Sequence, residues 1–453
     1  MAQLMISVSG IRGIVGEGLT PEVIIEFAQA YGAFCQGKPV VIGRDSRVSG
    51  DLVHHAFVSG LLSVGNDVID IGIASTPTTQ MMTEKLDCGG GIIITASHNP
   101  VEWNGIKMLA SDGLFLDAEQ GAKVLEIRDN KMYTFKTWQG LGTLRKYETA
   151  SEEHVQATLE LPYINVEQIR ERKFKVVADL INGAGCVIVP NLLEAFGCEM
   201  VLMNDEPHGR FARTPEPLPE NLTAVGEMVK KHGADLAVVV DPDSDRLALV
   251  DEKGVPLGEE YTLGVSGEYF LTKKQGKLVV NVSTSQLLGD LAKKYNCELE
   301  YTKVGEINVT KHMREIGAVF GGEGNGGVIV PDFHLGRDAI IGIALVLQRL
   351  AMGSEKLSEI RANLPQYFMV KQKIQLGFDN KPGDVIEKIK EKYAGENLDL
   401  KDGLKIWRDN SWVQVRASNT EPILRVMAEA PTQQAADALA DELRETTQKI
   451  LQG

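Results

Sequence analysis

The stretch GGGIIITASHNP at 89–100 holds the pattern from which the fold follows. Its apolar, β-branched run Ile92-Ile93-Ile94-Thr95 predicts a short strand buried on both faces. The run breaks into Ala96-Ser97-His98-Asn99-Pro100, a polar loop whose exit Pro100 stiffens. Ligands of open α/β sheets gather at the carboxyl ends of the strands, so chemistry is expected in this loop. A hydroxyl, an imidazole and an amide follow one another there, and Ser97 is the candidate reactive group. Taken alone, Ser97 could instead hydrogen-bond its own loop as an ST-turn.

The residues upstream repeat a theme. Val40-Val41-Ile42 reads as a strand leading into Gly43-Arg44-Asp45-Ser46-Arg47. A helix over 51–64, a strand over 67–71 and a helix over 78–85 then bring the chain to residue 89. Before them, 21–35 has helical spacing, and 9–13 reads as a glycine-flanked loop carrying Arg12. The same order returns from Lys175: strand 176–178, Asn182-Gly183-Ala184-Gly185, helix 187–196, strand 199–203, helix 224–232. Strand 236–240 closes that copy and ends in Asp241-Pro242-Asp243-Ser244-Asp245-Arg246. A third copy runs through strand 278–280, helix 286–295, strand 298–301, a helix near 308–316 and strand 318–320. It ends in Gly321-Gly322-Glu323-Gly324-Asn325-Gly326-Gly327. Recurrence of this kind means tandem units, and alternating strands and helices mean mixed, mainly parallel sheets with helices on their faces.

From about residue 366 the pattern changes. Strands over 404–407 and 412–415 flank an Asp409-Asn410-Ser411 turn, and a strand over 423–427 follows Arg416-Ala417-Ser418-Asn419-Thr420-Glu421-Pro422. An amphipathic helix over 433–451 ends the chain. The expected architecture is α/β, with three tandem α/β units and a C-terminal α+β domain. The expected blocks are 1–150, 151–255, 256–365 and 366–453.

A chain of 453 residues is too long for one core. Its net charge of -15 argues against nucleic acid or an anionic membrane as partner, because either needs a basic patch. Five cysteines without a CxxC pair give no disulfide framework. No signal peptide precedes Ile6, and no apolar run is long enough to span a bilayer. The expectation is a reduced, soluble, cytoplasmic protein, monomeric or homodimeric.

Asp241, Asp243 and Asp245 crowd three carboxylates that repel one another unless a cation lies between them. Oxygen-only ligands suit Mg²⁺ or Ca²⁺; an acidic solvated turn is the alternative. An EF-hand fails, since Arg246 stands where glycine is required and a strand precedes the loop. The 322–327 loop matches the dinucleotide fingerprint literally, yet a strand-like segment follows it and no helix terminus is offered to a pyrophosphate. Glu323 and Asn325 suit sugar hydroxyls or an amine better. Arg416, Ser418, Asn419 and Thr420, with Arg425 nearby, form a plausible phosphate clamp or a capped hairpin turn.

Together these loops resemble the α-D-phosphohexomutase family over essentially the whole chain. TASHNP is similar to its phosphoserine loop, DPDSDR to its metal loop, GEGNGG to its sugar loop and RASNTEP to its phosphate loop, in the family's order. The resemblance implies four domains around a central cleft, with Ser97 as phosphoserine and Mg²⁺ held by its phosphate together with Asp241, Asp243 and Asp245. It implies that Arg12 and Lys107 move protons or stabilise charge, with His98 beside the serine. Glu323 and Asn325 would read the sugar, and Arg416, Ser418, Asn419 and Thr420 the other phosphate. A locally basic cleft would draw on Arg12, Lys107, Arg246, Lys303, Arg416 and Arg425. A hexose 1,6-bisphosphate is implied as intermediate and activator, and a small sugar phosphate as substrate. Many bacterial members end the sugar loop in Ser-Gly-His, where this chain has Asn325-Gly326-Gly327. That form is similar to the archaeal-type phosphoglucosamine mutase branch; it favours glucosamine phosphate and leaves phosphomannose and phosphoglucose open.

Overall fold

The computed structural model describes residues 4–377, 381–417 and 423–452. They form two compact units, Met1–Lys273 with Asn325–Arg361, and Lys274–Gly324 with Ala362–Gly453.

The first unit contains a seven-stranded sheet in the order Met5–Ser7, Gly10–Ile14, Trp103–Ala110, Gly90–Ile94, Val40–Arg44, Val68–Ile73, Leu144–Lys146. Gly90–Ile94 is buried along its whole length, as its isoleucines predict. It lies between Val40–Arg44, which is parallel to it, and Trp103–Ala110, which is antiparallel. Val40–Arg44 pairs in parallel with Val68–Ile73 on its other side. The chain thus crosses from Val40–Arg44 to the strand on one side of it and then back to Gly90–Ile94 on the other. Ligands of such sheets bind at this topological switch, where the winding direction changes. Asp45 and Ser97 emerge beside this switch, with the Asp45 N–H donating to the Ile94 carbonyl at 3.0 Å. Helices Pro21–Phe34 and Gly50–Ser63 pack together over a core that includes Ile24, Phe27, Phe57 and Leu61.

The segment around Arg12 is a strand, Gly10–Ile14, and not the expected loop. Its glycines look like turn signals, but Gly10 answers to a distant partner strand. A Cβ on Gly10 would stand 2.0 Å from the Ile106 carbonyl oxygen, so glycine permits close pairing with Trp103–Ala110.

A second sheet in this unit runs Leu247–Asp251, Leu236–Val240, Lys175–Asp179, Glu199–Met203. Val240 pairs with Leu247, so Asp241–Arg246 is the loop of an antiparallel hairpin. The helix expected over 187–196 is a 3-10 turn, Ala184–Val187, followed by the short helix Val189–Ala195. Pro190 explains the break, since proline is accepted in a first helical turn but not in an interior. Helix Ala339–Ala351 is buried nearly throughout and packs on Glu259–Leu271 and on the strand Gly327–Ile329.

In the second unit, Lys277–Asn281 lies between the parallel strands Glu298–Thr302 and Phe320–Glu323. The C-terminal sheet is antiparallel and five-stranded, in the order Phe368–Gln375, Ile423–Ala430, Ser411–Ala417, Leu404–Arg408, Asn397–Asp399. Helices Pro382–Lys392 and Gln433–Gln452 pack on it over Ile389, Ile406, Val415, Leu424 and Leu443. The α/β units and the α+β C-terminal part agree with the sequence pattern. No helix among the described residues is long and apolar enough to cross a membrane.

Asp338 anchors the buried helix Ala339–Ala351. Its Oδ1 accepts from the Ile340 N–H at 2.7 Å, and its Oδ2 lies 3.0 Å from both His154 Nε2 and His334 Nε2. Burial raises its pKa, but His154 and His334 outweigh burial and hold the carboxyl well below the usual range. Replacing Asp338 with alanine removes a cap and leaves two imidazoles without their acceptor. The expected loss is about 3–5 kcal/mol near neutral pH by urea denaturation, with Asp338→Asn costing less. A carboxyl with a depressed native pKa stabilises above its unfolded pKa and loses that contribution as pH falls through the native value. The difference from wild type should therefore narrow below about pH 4. An alanine variant as stable as wild type at pH 7 would contradict this role.

Candidate active site

The hairpin loop places Asp241, Asp243 and Asp245 where none is exposed to solvent. One carboxylate oxygen from each lies within 4.8 Å of the others. The surrounding chain engages one side of each group. Ser97 Oγ donates to Asp241 Oδ2 at 3.1 Å. Asp243 Oδ2 accepts from Lys107 Nζ and Thr76 Oγ1, both at 2.6 Å. Asp245 Oδ2 accepts from an Arg337 guanidinium nitrogen at 2.5 Å and lies 3.8 Å from Lys107 Nζ. Asp243 Oδ1 and Asp245 Oδ1 are buried and have no hydrogen-bond partner.

This environment sets Asp241 and Asp243 apart. Burial, with the charges of Asp245 and Asp243, pushes the Asp241 pKa well above the ordinary carboxylate range. Asp243 moves the other way: burial raises it, but the Lys107 charge and hydrogen bonds outweigh burial and hold it low. Two unpartnered, buried carboxylate oxygens in a cluster of three acids are a donor set of the hard-oxygen kind that Mg²⁺ or Ca²⁺ takes. The residues present fit such an ion.

Ser97 is 4% exposed and adopts φ +48°, a left-handed conformation that costs a non-glycine residue about 1–2 kcal/mol. Thr95 Oγ1 accepts from its N–H at 2.8 Å. His98 Nδ1 lies 3.3 Å from Ser97 Oγ. The Arg246 charge, then burial, then Arg12 bring the His98 pKa down to about 2, so the imidazole beside the serine is neutral. Arg246 is itself buried, 3.3 Å from Glu216 and 3.8 Å from Asp245.

Arg12 and Lys107 reach this site from two paired strands. Gly105 opposes Arg12 and Gly10 opposes Lys107, so the two cations are diagonal neighbours on one face. An Arg12 guanidinium nitrogen donates to Asn99 Oδ1 at 2.6 Å, and burial lowers the Arg12 pKa while Asp243 opposes the shift.

The Asn99 amide of the polar loop thus serves Arg12, whereas Thr76, Glu216 and Arg337 are not singled out by the sequence. Thr76 begins the helix Thr76–Lys85 just past the carboxyl end of the strand Val68–Ile73, and that position was the available signal. Its N–H also donates to the Asp243 carbonyl at 2.8 Å. Asn325, also in this unit, has a buried Oδ1 without a hydrogen-bond partner.

In the second unit, Glu323 is 3% exposed and one of its oxygens accepts from Asn281 Nδ2 and the Gly305 N–H, both at 2.9 Å. Lys303 is exposed just past Glu298–Thr302. Arg416 and Arg425 are directly opposed on adjacent strands. Burial lowers the Arg416 pKa, with Asp402 opposing and Arg425 adding to the shift. Two opposed guanidiniums suit an anion. Ser418, Asn419 and Thr420 lie outside the described residues.

Four family descriptions match in succession: phosphoglucomutase/phosphomannomutase alpha/beta/alpha domain I over 4–134, domain II over 152–254, domain III over 259–368, and the C-terminal domain over 370–446. A Thermococcus kodakarensis protein named phosphoglucomutase/phosphomannomutase is 41% identical over 436 residues, with 94% of each chain covered. A Sulfurisphaera tokodaii protein named phosphoglucosamine/phosphogalactosamine mutase is 35% identical, with 98% of each covered. The crystal structure of a Burkholderia thailandensis phosphoglucomutase/phosphomannomutase family protein superposes with a TM-score of 0.86 at 26% identity, covering 98% of each chain. With its loops, its fold and these relatives in agreement, the chain belongs to the phosphoglucomutase/phosphomannomutase family, the α-D-phosphohexomutases.

Proposed function

We propose that this phosphohexomutase interconverts glucosamine 6-phosphate and glucosamine 1-phosphate through a phosphorylated Ser97 and a 1,6-bisphosphate. The observation that carries the reading is the Ser97 hydroxyl, 3.1 Å from Asp241 in a carboxylate cluster that still has two unpartnered oxygens. The Asn325-Gly326-Gly327 ending of the sugar loop favours the amino sugar, in keeping with the name of the Sulfurisphaera relative. The name of the Thermococcus relative supports the second reading, a mutase for glucose and mannose phosphates. The four blocks 1–150, 151–255, 256–365 and 366–453 each contribute one loop to this assignment.

In the forward direction the phosphoryl group leaves Ser97 Oγ for O1 of the sugar 6-phosphate. The proton from O1 ends on Ser97, and a 1,6-bisphosphate forms. The intermediate then presents its 6-phosphate, Ser97 Oγ takes that phosphoryl group, and O6 receives the proton. Asp241, Asp243 and Asp245, with the Ser97 phosphate, would hold Mg²⁺. A bound Mg²⁺ offsets the negative charge of the carboxylates and of the group in transfer. A serine hydroxyl needs a base at neutral pH. Lys107 and Arg12 are the candidates, and a neutral His98 at 3.3 Å orients the hydroxyl. We assign Glu323 and Asn325 to the sugar, and Arg246, Lys303, Arg416, Ser418, Asn419, Thr420 and Arg425 to the phosphate groups.

Ser97→Ala should abolish mutase turnover primed with glucose 1,6-bisphosphate, while calorimetric binding of sugar phosphate persists. Appreciable residual turnover would remove Ser97 from the mechanism. Asp243→Asn should erase the rise in melting temperature that Mg²⁺ produces in the wild type, because ligands of the native state stabilise it by mass action. An unchanged Mg²⁺ shift in that variant would place the ion elsewhere. Among glucosamine, glucose and mannose 6-phosphates, the glucosamine compound should show the highest kcat/KM; a higher value for either of the others selects the second reading.

A further inference from the structure

The Asp45-Ser46-Arg47 turn follows the strand Val40–Arg44 and contains a side chain that the reaction above does not use. Arg47 is 1% exposed and Asp45 is not exposed at all. A guanidinium has five N–H donors in a rigid plane, and each of them is engaged here. Arg47 Nε donates to Asp45 Oδ2 at 3.0 Å. One terminal nitrogen donates to the carbonyls of Pro100 at 2.7 Å and Trp103 at 2.9 Å. The other donates to the carbonyls of Ser97 at 2.6 Å and Asn99 at 2.8 Å. Three of the five bonds therefore end on the backbone of the loop that carries Ser97, and a fourth on Trp103, the first residue of the strand after it.

That loop needs an external template, because Ser97 at φ +48° adopts a conformation that its own local energetics disfavour. Asp45 extends the template. Its Oδ2 also accepts from Thr95 Oγ1 at 2.6 Å, and that same hydroxyl oxygen accepts the Ser97 N–H. Ser97 is thus held from its amide through Thr95 and Asp45, and from its carbonyl through Arg47. The Asp45 carboxylate balances the Arg47 charge, so the loop is tied down without a net positive charge that would compete for a phosphoryl group.

Two residues of the segment after Glu199–Met203, Gly209 and Phe211, also pack against Arg47. The Phe211 ring centroid lies 4.9 Å from the guanidinium carbon, within the range of a cation–π contact. Gly209, at φ +68°, packs so closely that a Cβ would stand 2.1 Å from the Ser46 carbonyl oxygen and 2.6 Å from Arg47 Cα. Ser46 Oγ donates to the Asn182 carbonyl at 2.5 Å. The turn is therefore fixed to the same second sheet from which Asp241–Arg246 projects.

We propose that Arg47 is a positioning residue for phosphoryl transfer: it holds the Ser97 loop in register with Asp241 and never touches the substrate. The proposal rests on Ser97 being the phosphoryl carrier. Its consequence is a defect in the transfer step rather than in sugar-phosphate binding, because what changes is the placement of Ser97 Oγ.

The test compares Arg47→Lys with wild type and with Ser97→Ala, using full-length protein, Mg²⁺ and glucose 1,6-bisphosphate as primer. Lysine keeps the charge but cannot reproduce the planar fork. The expected result is a kcat lower by about 10- to 100-fold with KM for the sugar phosphate within about twofold, a magnitude typical of misplacement by an ångström. Uptake of phosphoryl by Ser97 from the primer, followed by intact mass, should slow by the same factor. Guanidinium ion at millimolar concentration should restore part of the kcat of Arg47→Ala. An Arg47→Lys protein with native circular dichroism and a kcat within about twofold of wild type would overturn the proposal, as would a loss confined to KM. If neither Arg47 variant folds, Phe211→Leu, which leaves the fork intact, should give a smaller kcat loss at constant KM; an unchanged kcat there would overturn it. Ser97→Ala separates the two failures, since activity in that variant removes the carrier assignment, whereas an inactive Ser97→Ala beside a fully active Arg47→Lys removes only this inference.

Discussion

The burial of three carboxylates in one hairpin loop is the constraint that the first unit is built to satisfy. Moving an ion out of water costs several kcal/mol even after relaxation, and Asp241, Asp243 and Asp245 are wholly buried. Lys107, Thr76, Arg337 and Ser97 each supply a donor to one of them. These donors come from a sheet strand, a helix N-terminus, a helix-capping segment and a strand-end loop. Removing any one of these elements would leave a buried acid less satisfied. An acidic chain can therefore gather its cations where buried acids need them, with its net charge of -15 saying little about the local field.

The same arrangement sets the protonation pattern around the serine. Arg246 and Arg12 crowd His98 with positive charge and hold it neutral, and Lys107 is tied to Asp243 and Asp245. Asp241, which receives the Ser97 hydrogen bond, holds its proton more readily than Asp243. A cluster divided in this way accepts a cation readily, because the cation relieves the repulsion that raises Asp241. Left-handed backbone occurs at Ser97, whose hydroxyl meets Asp241, and at Ser244, φ +53°, between Asp243 and Asp245. Such strain persists where surrounding contacts over-determine a loop, and the hydrogen bonds around Thr95 and Arg47 are of that kind.

Much of the fold was legible because its signals are local. Buried parallel strands show as runs such as Ile92-Ile93-Ile94 and Val238-Val239-Val240, and the polar segments after them stand out because ligand-binding loops follow strand ends. Ser97 and the three aspartates could be named for the same reason, since each follows such a run. The Gly10–Ile14 strand was not legible, because Gly10 serves a partner more than ninety residues away. The helix expected over 187–196 shortens to Val189–Ala195, because Pro190 fits only its first turn.

By itself the sequence determined the order of strands and helices, the three-fold recurrence of an α/β unit, the change to an α+β C-terminal part and the chemical identity of each strand-end loop. These follow from hydrophobic periodicity and turn chemistry, which act within a few residues. Only the tertiary structure decided which side chains complete those loops. Thr76 and Arg337 on the aspartates, Asn99 on Arg12 and Arg47 beneath the Ser97 loop are united by strand crossovers and sheet packing between distant segments. It also decided that Asp241 and Asp243 differ in proton affinity and that His98 is neutral, because those properties depend on burial and on the distances between charges, which the residue order does not contain.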